Sequence, residues 1–436
     1  MTFFQKYLSG RYAARLVVAV LYAAWLFPAA AREEPGPGSN PLGSNLPGLL
    51  AYAREHNPEF VAMRYEAEAA AQRAQSAASL PDPVLRTELM DITRQGTSNP
   101  SLLPSKVGGT QYTLMQSLPW FGKRDLQRGG AEAQVAQANA QTSATWAELS
   151  SKIKSVYAMY YYLSNNQRLA HETLNLMAGL EQVAQTRYSN GLGAQQDVIR
   201  AQVEQTSLRS ELLEFEKEQH HAQARLNALM SRPAMVALAK PVQLRPIPAA
   251  TLTAYPLIEE KLRARNPQLM IADARRDEAE KNRDMIFKNR YPDITVGVAP
   301  TQTGSRISEW ELMIEINIPL QQSARRSQER GAEAMLAAST ARKEAVLNQM
   351  LADLSESVIS LETAQRTESL ITTRLLPQAE LTYQSALAVY ETGKVDFSTL
   401  LDAQRQILKA NQQQFKAQLE AQLSLAEIER LLGEEL

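Results

Sequence analysis

"WELMIEINIPLQQSARRSQERGAEA", residues 310–334, changes its repeat halfway along. Up to Ile318 apolar residues take every second position: Trp310, Leu312, Ile314, Ile316 and Ile318 alternate with Glu311, Met313, Glu315 and Asn317. A period of two predicts a strand with one apolar and one polar face. Past Pro319 the alternation stops, and a stretch rich in Gln, Arg, Glu and Ala has the composition of a helix. A strand thus runs into a helix with a proline at the join and no loop of any length between them.

The same passage occurs earlier, in "QYTLMQSLPWFGKRDLQRGGAEA", residues 111–133, where Pro119 and Gly130 match Pro319 and Gly331. Three more pairs follow in the same order. "NPEFVAMRYEAEAAAQRA" from Asn57 is echoed from Asn266, "PDPVLRTELM" from Pro81 by "PDITVGVAP" from Pro292, and "RYSNGLGAQQDV" from Arg187 by "VYETGKVDFSTL" from Val389. Offsets between 200 and 211 mark a tandem duplication, with repeats expected over 32–240 and 241–436. Each reads helix, strand, loop, strand, long helix, tight turn, long helix.

Strands are expected over about 84–91, 110–118, 293–299 and 309–318, closed into hairpins by loops over 92–109 and 300–308. Long helices are expected over about 121–189, 194–232, 321–390 and 395–434. No proline falls between Pro119 and Pro233, and an uninterrupted helix over 121–189 is roughly 100 Å long at 1.5 Å per residue. Leu401, Leu408 and Phe415 recur every seventh position, continued by Leu419 and Leu423, as a seam for a neighbouring helix. Pro377 should kink the helix over 321–390, and Gly191 and Gly393 permit the tight turns between long helices.

Each strand is near the nine to eleven residues, roughly, that a tilted strand needs to cross a bilayer. Four strands cannot close a barrel, since the smallest single-chain barrels have about eight, and open sheet edges are not tolerated in hydrocarbon. Several chains must then share one barrel, and three would supply twelve strands above twelve long helices. Pro119 and Pro319 suit the handover: proline lacks an N–H for the sheet and its fixed φ fits the first helical turn.

Composition excludes much else. Residues 1–31 have the form of a secretory signal peptide, in which Lys6, Arg11 and Arg15 precede "LVVAVLYAAWLF" and an Ala29-Ala30-Ala31 cleavage site. Cys is 0, so neither disulfides nor a cysteine-linked lipid are available. A formal net charge of −1 points away from nucleic acid. His220 and His221 lie near Glu216 and Glu218, but a metal needs three or four converging ligands. Gly122-Lys123 lacks the rest of a phosphate loop, and "GLG" from Gly191 lacks the third glycine of a dinucleotide site. No catalytic, cofactor or metal-binding constellation is present, so no enzyme is expected and any transport must draw its energy from a partner. Met313, on the polar strand face, could line a lumen.

As a set, the duplication, "QSLPWFGKRDLQR", "INIPLQQSARR", "YSNGLGAQQDV" and "YETGKVDFSTLLDAQR" resemble the TolC-like outer membrane efflux proteins over essentially all of residues 45–434. The resemblance implies a mostly α-helical homotrimer, in which a twelve-stranded β-barrel in the outer membrane lipid continues into a long periplasmic helical barrel. It also implies work with a periplasmic adaptor protein and an inner membrane pump of the RND type. "SLPWFGKR" is most similar to the heavy-metal efflux branch, including copper and silver exporters. For the periplasmic gate the resemblance implies Asp402 as a ring-forming aspartate, Tyr390 as a gate tyrosine and Asp197 as its acidic partner. Thr399 and Val395 depart from the pattern, standing where a second acidic ring and a basic latch would be. A periplasmic coiled-coil adaptor or scaffold spanning no membrane is the alternative, and the apolar face of residues 310–318 argues against it.

Overall fold

A computed structural model describes residues 42–93, 100, 102–249, 254–392 and 394–436. The expected signal peptide, Gly393 and part of the 92–109 loop lie outside the described residues. The first repeat runs α1 (Leu46–His56), α2 (Pro58–Ser76), β1 (Val84–Met90), β2 (Gly109–Leu118), α3 (Lys123–Ser189) and α4 (Gln195–Leu229). The second runs α5 (Tyr255–Arg265), α6 (Pro267–Lys288), β3 (Ile294–Thr303), β4 (Arg306–Ile316), α7 (Gln322–Leu370), α8 (Leu376–Glu391) and α9 (Phe397–Leu432).

The paired Asn-Pro motifs explain how each repeat begins. Asn57 and Asn266 cap α2 and α6, their Oδ1 atoms accepting from Phe60 N–H at 3.0 Å and Leu269 N–H at 2.8 Å, while proline occupies the helix start where no donor is needed. Their amides then donate to the ends of the repeats' last helices, Asn57 to Leu229 O and Asn266 to Leu431 O. Two residues thus stop one helix, start another and fasten both to a third.

Antiparallel pairing gives a sheet of order β1-β2-β3-β4. Beside it α2 packs on α3, α3 on α6 and α6 on α7, so the helices attached to the four strands keep the strand order. Farther from the sheet α4 packs on α3, α3 on α9, and α9 on α7 and α8. The α9 seam is only half-buried at Leu408, Phe415 and Leu423. The deeply buried heptad is Ala403, Ala410 and Ala417, one of small residues that let the helix backbones approach. Ala133, Ala140 and Ala147 do the same on α3.

Two expectations need correction. Between α7 and α8 the chain forms a π-helical stretch, Ile371–Leu375, before Pro377. Proline cannot donate to the preceding turn, and a widened turn accommodates the loss, so the helix expected over 321–390 is divided here. The region 300–308 is no loop: β3 and β4 extend to Thr303 and Arg306, joined by Gly304-Ser305 with Gly304 at φ +63°, a backbone conformation that glycine adopts at no steric cost.

A buried ionic node joins the repeats. Lys154 of α3, 4% exposed at its side chain, lies 2.9 Å from Glu429 of α9 and 2.9 Å from Glu435. Arg245, from the segment linking the repeats, bonds the same Glu429 carboxylate and donates to Gln422 at 2.9 Å. Removing one partner of such a pair leaves a buried charge uncompensated, at a cost of about 3–5 kcal/mol.

Candidate functional site

The two faces of the sheet differ in character. Cross-strand partners share a face, and the register places Leu85, Leu114, Val298 and Leu312 in one row across all four strands. Trp310, Ile314 and Ile316 extend this apolar face along β4, each at least half exposed. The opposite face carries Arg86, Glu88, Gln111, Thr113, Thr301, Glu309, Glu311 and Glu315. Across it Gln111 donates to Glu311 at 2.9 Å. Met313 lies on this polar face beside Gly297, with Met115 on its other side. Among the described residues β1 pairs only with β2 and β4 only with β3, leaving an unpaired edge on each side.

Pro119 and Pro319 sit at the strand ends but not in the first helical turn. Four residues separate β2 from α3 and five separate β4 from α7. The turn before α3 needs Gly122 in the left-handed region at φ +83°. Asp293 braces it, accepting from Trp120 N–H and from Lys123 Nζ, both at 2.8 Å. Burial alone would raise the Asp293 pKa, yet the bonds from Lys123 and Trp120 outweigh it and hold the carboxyl below its usual range. Trp120 stacks on Tyr291 with ring centroids 5.3 Å apart.

At the other end of the long helices the turns of both repeats pack together. Met177, Leu180, Val198, Tyr390, Phe397 and Leu400 belong to one apolar cluster. Gly191 has φ +71°, the conformation its tight turn requires. Tyr390 is 3% exposed, and its hydroxyl has no hydrogen-bond partner among the described residues. Burial pushes its phenol up from the ordinary value and the Asp197 carboxylate adds to this, while Arg187 opposes it. Asp402 stands apart from that cluster, 67% exposed at its side chain and 3.6 Å from Arg405, which is itself held by Glu204.

Arg187 is the residue that sequence reasoning missed. Its guanidinium lies 4.9 Å from the Tyr390 ring centre and donates to Tyr390 O at 3.1 Å and Leu192 O at 3.2 Å, tying the first repeat's turn to the second's. Its position in "RYSNG", just before the glycine turn, was the available signal. His220 and His221 are exposed, and among the described residues no group of three His, Cys, Asp or Glu could hold a metal ion. No described helix is long and apolar enough to cross a membrane.

Residues 49–232 and 258–434 match the outer membrane efflux protein family. The cobalt-zinc-cadmium resistance protein CzcC of Cupriavidus metallidurans is 23% identical over 417 residues, spanning 94% of this chain and 93% of CzcC. The outer-membrane channel OprN superposes with a TM-score of 0.76 at 20% identity, over 89% of each chain. CusC, solved in a study of folding and transmembrane channel formation, superposes with a TM-score of 0.74 at 16% identity, over 92% of this chain and 98% of CusC. At these identities the superpositions establish a shared fold, mostly helical with one small sheet. The match over residues 49–232 and 258–434 establishes more: the chain belongs to the outer membrane efflux protein family, an outer membrane protein and not an enzyme.

Proposed function

We propose that three copies of this chain form the exit duct of a tripartite efflux system. The observation that carries the reading is the four-stranded sheet, apolar on one face, polar on the other and unpaired at both edges. Backbone groups on those edges have no partner in hydrocarbon, so β1 of one copy pairs with β4 of the next and three copies close a barrel of twelve strands. The apolar row then faces lipid and the polar face lines the bore. A periplasmic adaptor or scaffold would gain nothing from exposing that row to water. Transport through a passive duct takes its energy from elsewhere, and in this reading the partners are a periplasmic adaptor and an inner membrane pump of the RND type.

The exported substrate in this reading is a heavy-metal cation, copper or silver in particular. Support comes from the likeness to CzcC, named for resistance to cobalt, zinc and cadmium, and from the polar bore face, where Glu309, Glu311 and Glu315 sit on one strand. Deleting the gene should sensitise cells to one or more of copper, silver, zinc, cobalt and cadmium. Sensitisation to lipophilic drugs alone would overturn the metal assignment and leave the duct standing.

For the periplasmic gate, the reading assigns Tyr390, Asp197 and Asp402, with Gly191 and Gly393 in the turns. Arg187 does the work of the latch absent at Val395, and three exposed Asp402 carboxylates around the axis make a cation-attracting ring.

A further inference from the structure

The apolar face does not stop where the strands do. Leu118 ends β2 on this face, and beyond the strands Phe121, Ile318 and Leu320 are again exposed apolar side chains, Phe121, at 83% exposed, among the barest of the described residues. An exposed phenylalanine there is unfavourable in water and favourable at a membrane interface. Beside it Trp120 and Tyr291 are stacked, two rings that each combine an apolar body with a polar atom, as suits the headgroup level of a bilayer. This level is fixed by the pair of the buried Lys123 with Asp293, whose carboxylate also holds Trp120 N–H.

Lys288 completes the arrangement. Its ammonium lies 5.7 Å from the centre of the Tyr291 ring, and its stem runs along Gly122, where a Cβ would come within 3.7 Å of it. Among the described residues Lys288 makes no ion pair, whereas nearby Lys123 is neutralised by Asp293, Arg283 by Asp284 and Arg290 by Glu329. It is a cation with no ion-pair partner among the described residues, beside the Tyr291 ring that stacks on Trp120. We infer that Trp120, Phe121, Tyr291 and Lys288 form a seat for the headgroup of an anionic phospholipid in the periplasm-facing leaflet, the rings packing on the glycerol region and the ammonium on the phosphate. The inference rests on the duct reading, which puts this rim in that leaflet. Charge complementarity and continuity with the lipid-facing row select a lipid over a protein partner.

The test is native mass spectrometry of the purified full chain in detergent, titrated with phosphatidylglycerol or with phosphatidylcholine of the same acyl chains. Lys288→Gln and Lys288→Arg are compared with wild type, and inorganic phosphate serves as competitor. Wild type and Lys288→Arg should retain phosphatidylglycerol roughly fivefold better than phosphatidylcholine, the weight of one basic residue at an anionic surface. Lys288→Gln should bind the two lipids alike. Equal preference in wild type and Lys288→Gln overturns the seat and leaves the duct intact. Displacement by phosphate at the same concentration overturns it too, as a free-anion site. Failure of the wild type to retain any lipid while remaining monomeric contradicts both the seat and the duct.

Discussion

Replacing Leu312 by arginine is expected to abolish the outer membrane form of the protein almost completely. Leu312 lies in the apolar row, its side chain largely exposed, near the middle of β4. An arginine on the lipid face of a barrel costs about 2–4 kcal/mol at the bilayer midplane. A trimer meets that cost three times in one assembly step, since no copy closes its barrel alone. Glu311→Arg, one residue away on the opposite face, places the same charge in the aqueous bore and should leave assembly near the wild-type level. Trimer recovered from outer membrane fractions measures both. Were the chain a water-exposed adaptor, both substitutions would be surface changes worth no more than about 0.5 kcal/mol. Equal recovery of the two variants therefore contradicts the duct.

The second large effect is expected at the periplasmic end. Asp402→Ala removes three carboxylates from the proposed ring and one of the two acidic neighbours of Arg405. Conductance in a planar bilayer should rise several-fold and the preference for cations should fall, because the constriction loses both its polar ties and its charge. Tyr390→Phe should add little, since the buried hydroxyl has no partner to lose. Arg187→Gln should add more, because it cuts the link between the turns of the two repeats. Unchanged conductance and ion preference in Asp402→Ala would remove Asp402 from the gate.

These expectations were unevenly legible. The strands could be read because alternation with period two survives any tertiary context that keeps one face apolar, as in residues 310–316. Pro300 and the polar run after it read as a loop, yet Gly304 allows a two-residue turn and the hairpin continues to it. The helix seam was half legible. Leucines at every seventh position are conspicuous, but Ala403, Ala410 and Ala417 carry the close packing, and alanine is too common in helices to stand out. The ionic node was not legible at all: Lys154 and Glu429 are 275 residues apart, and each reads alone as a solvated charge on a helix. Arg187 is similar in kind: its bonds to the Tyr390 and Leu192 carbonyls and its contact with the Tyr390 ring leave no charge pattern in the sequence.

The absence of cysteine makes the central claim, that the sheet crosses the outer membrane, directly measurable. Single cysteines are placed at Ser305, in the exposed turn between β3 and β4, and at Gln195, exposed at the start of α4 near the far turns. Intact cells are then treated with a membrane-impermeant maleimide. The account predicts that Ser305→Cys is labelled from outside while Gln195→Cys reacts only after the outer membrane is breached. Labelling of neither site before the breach and of both after it would put the whole chain in the periplasm and contradict the duct.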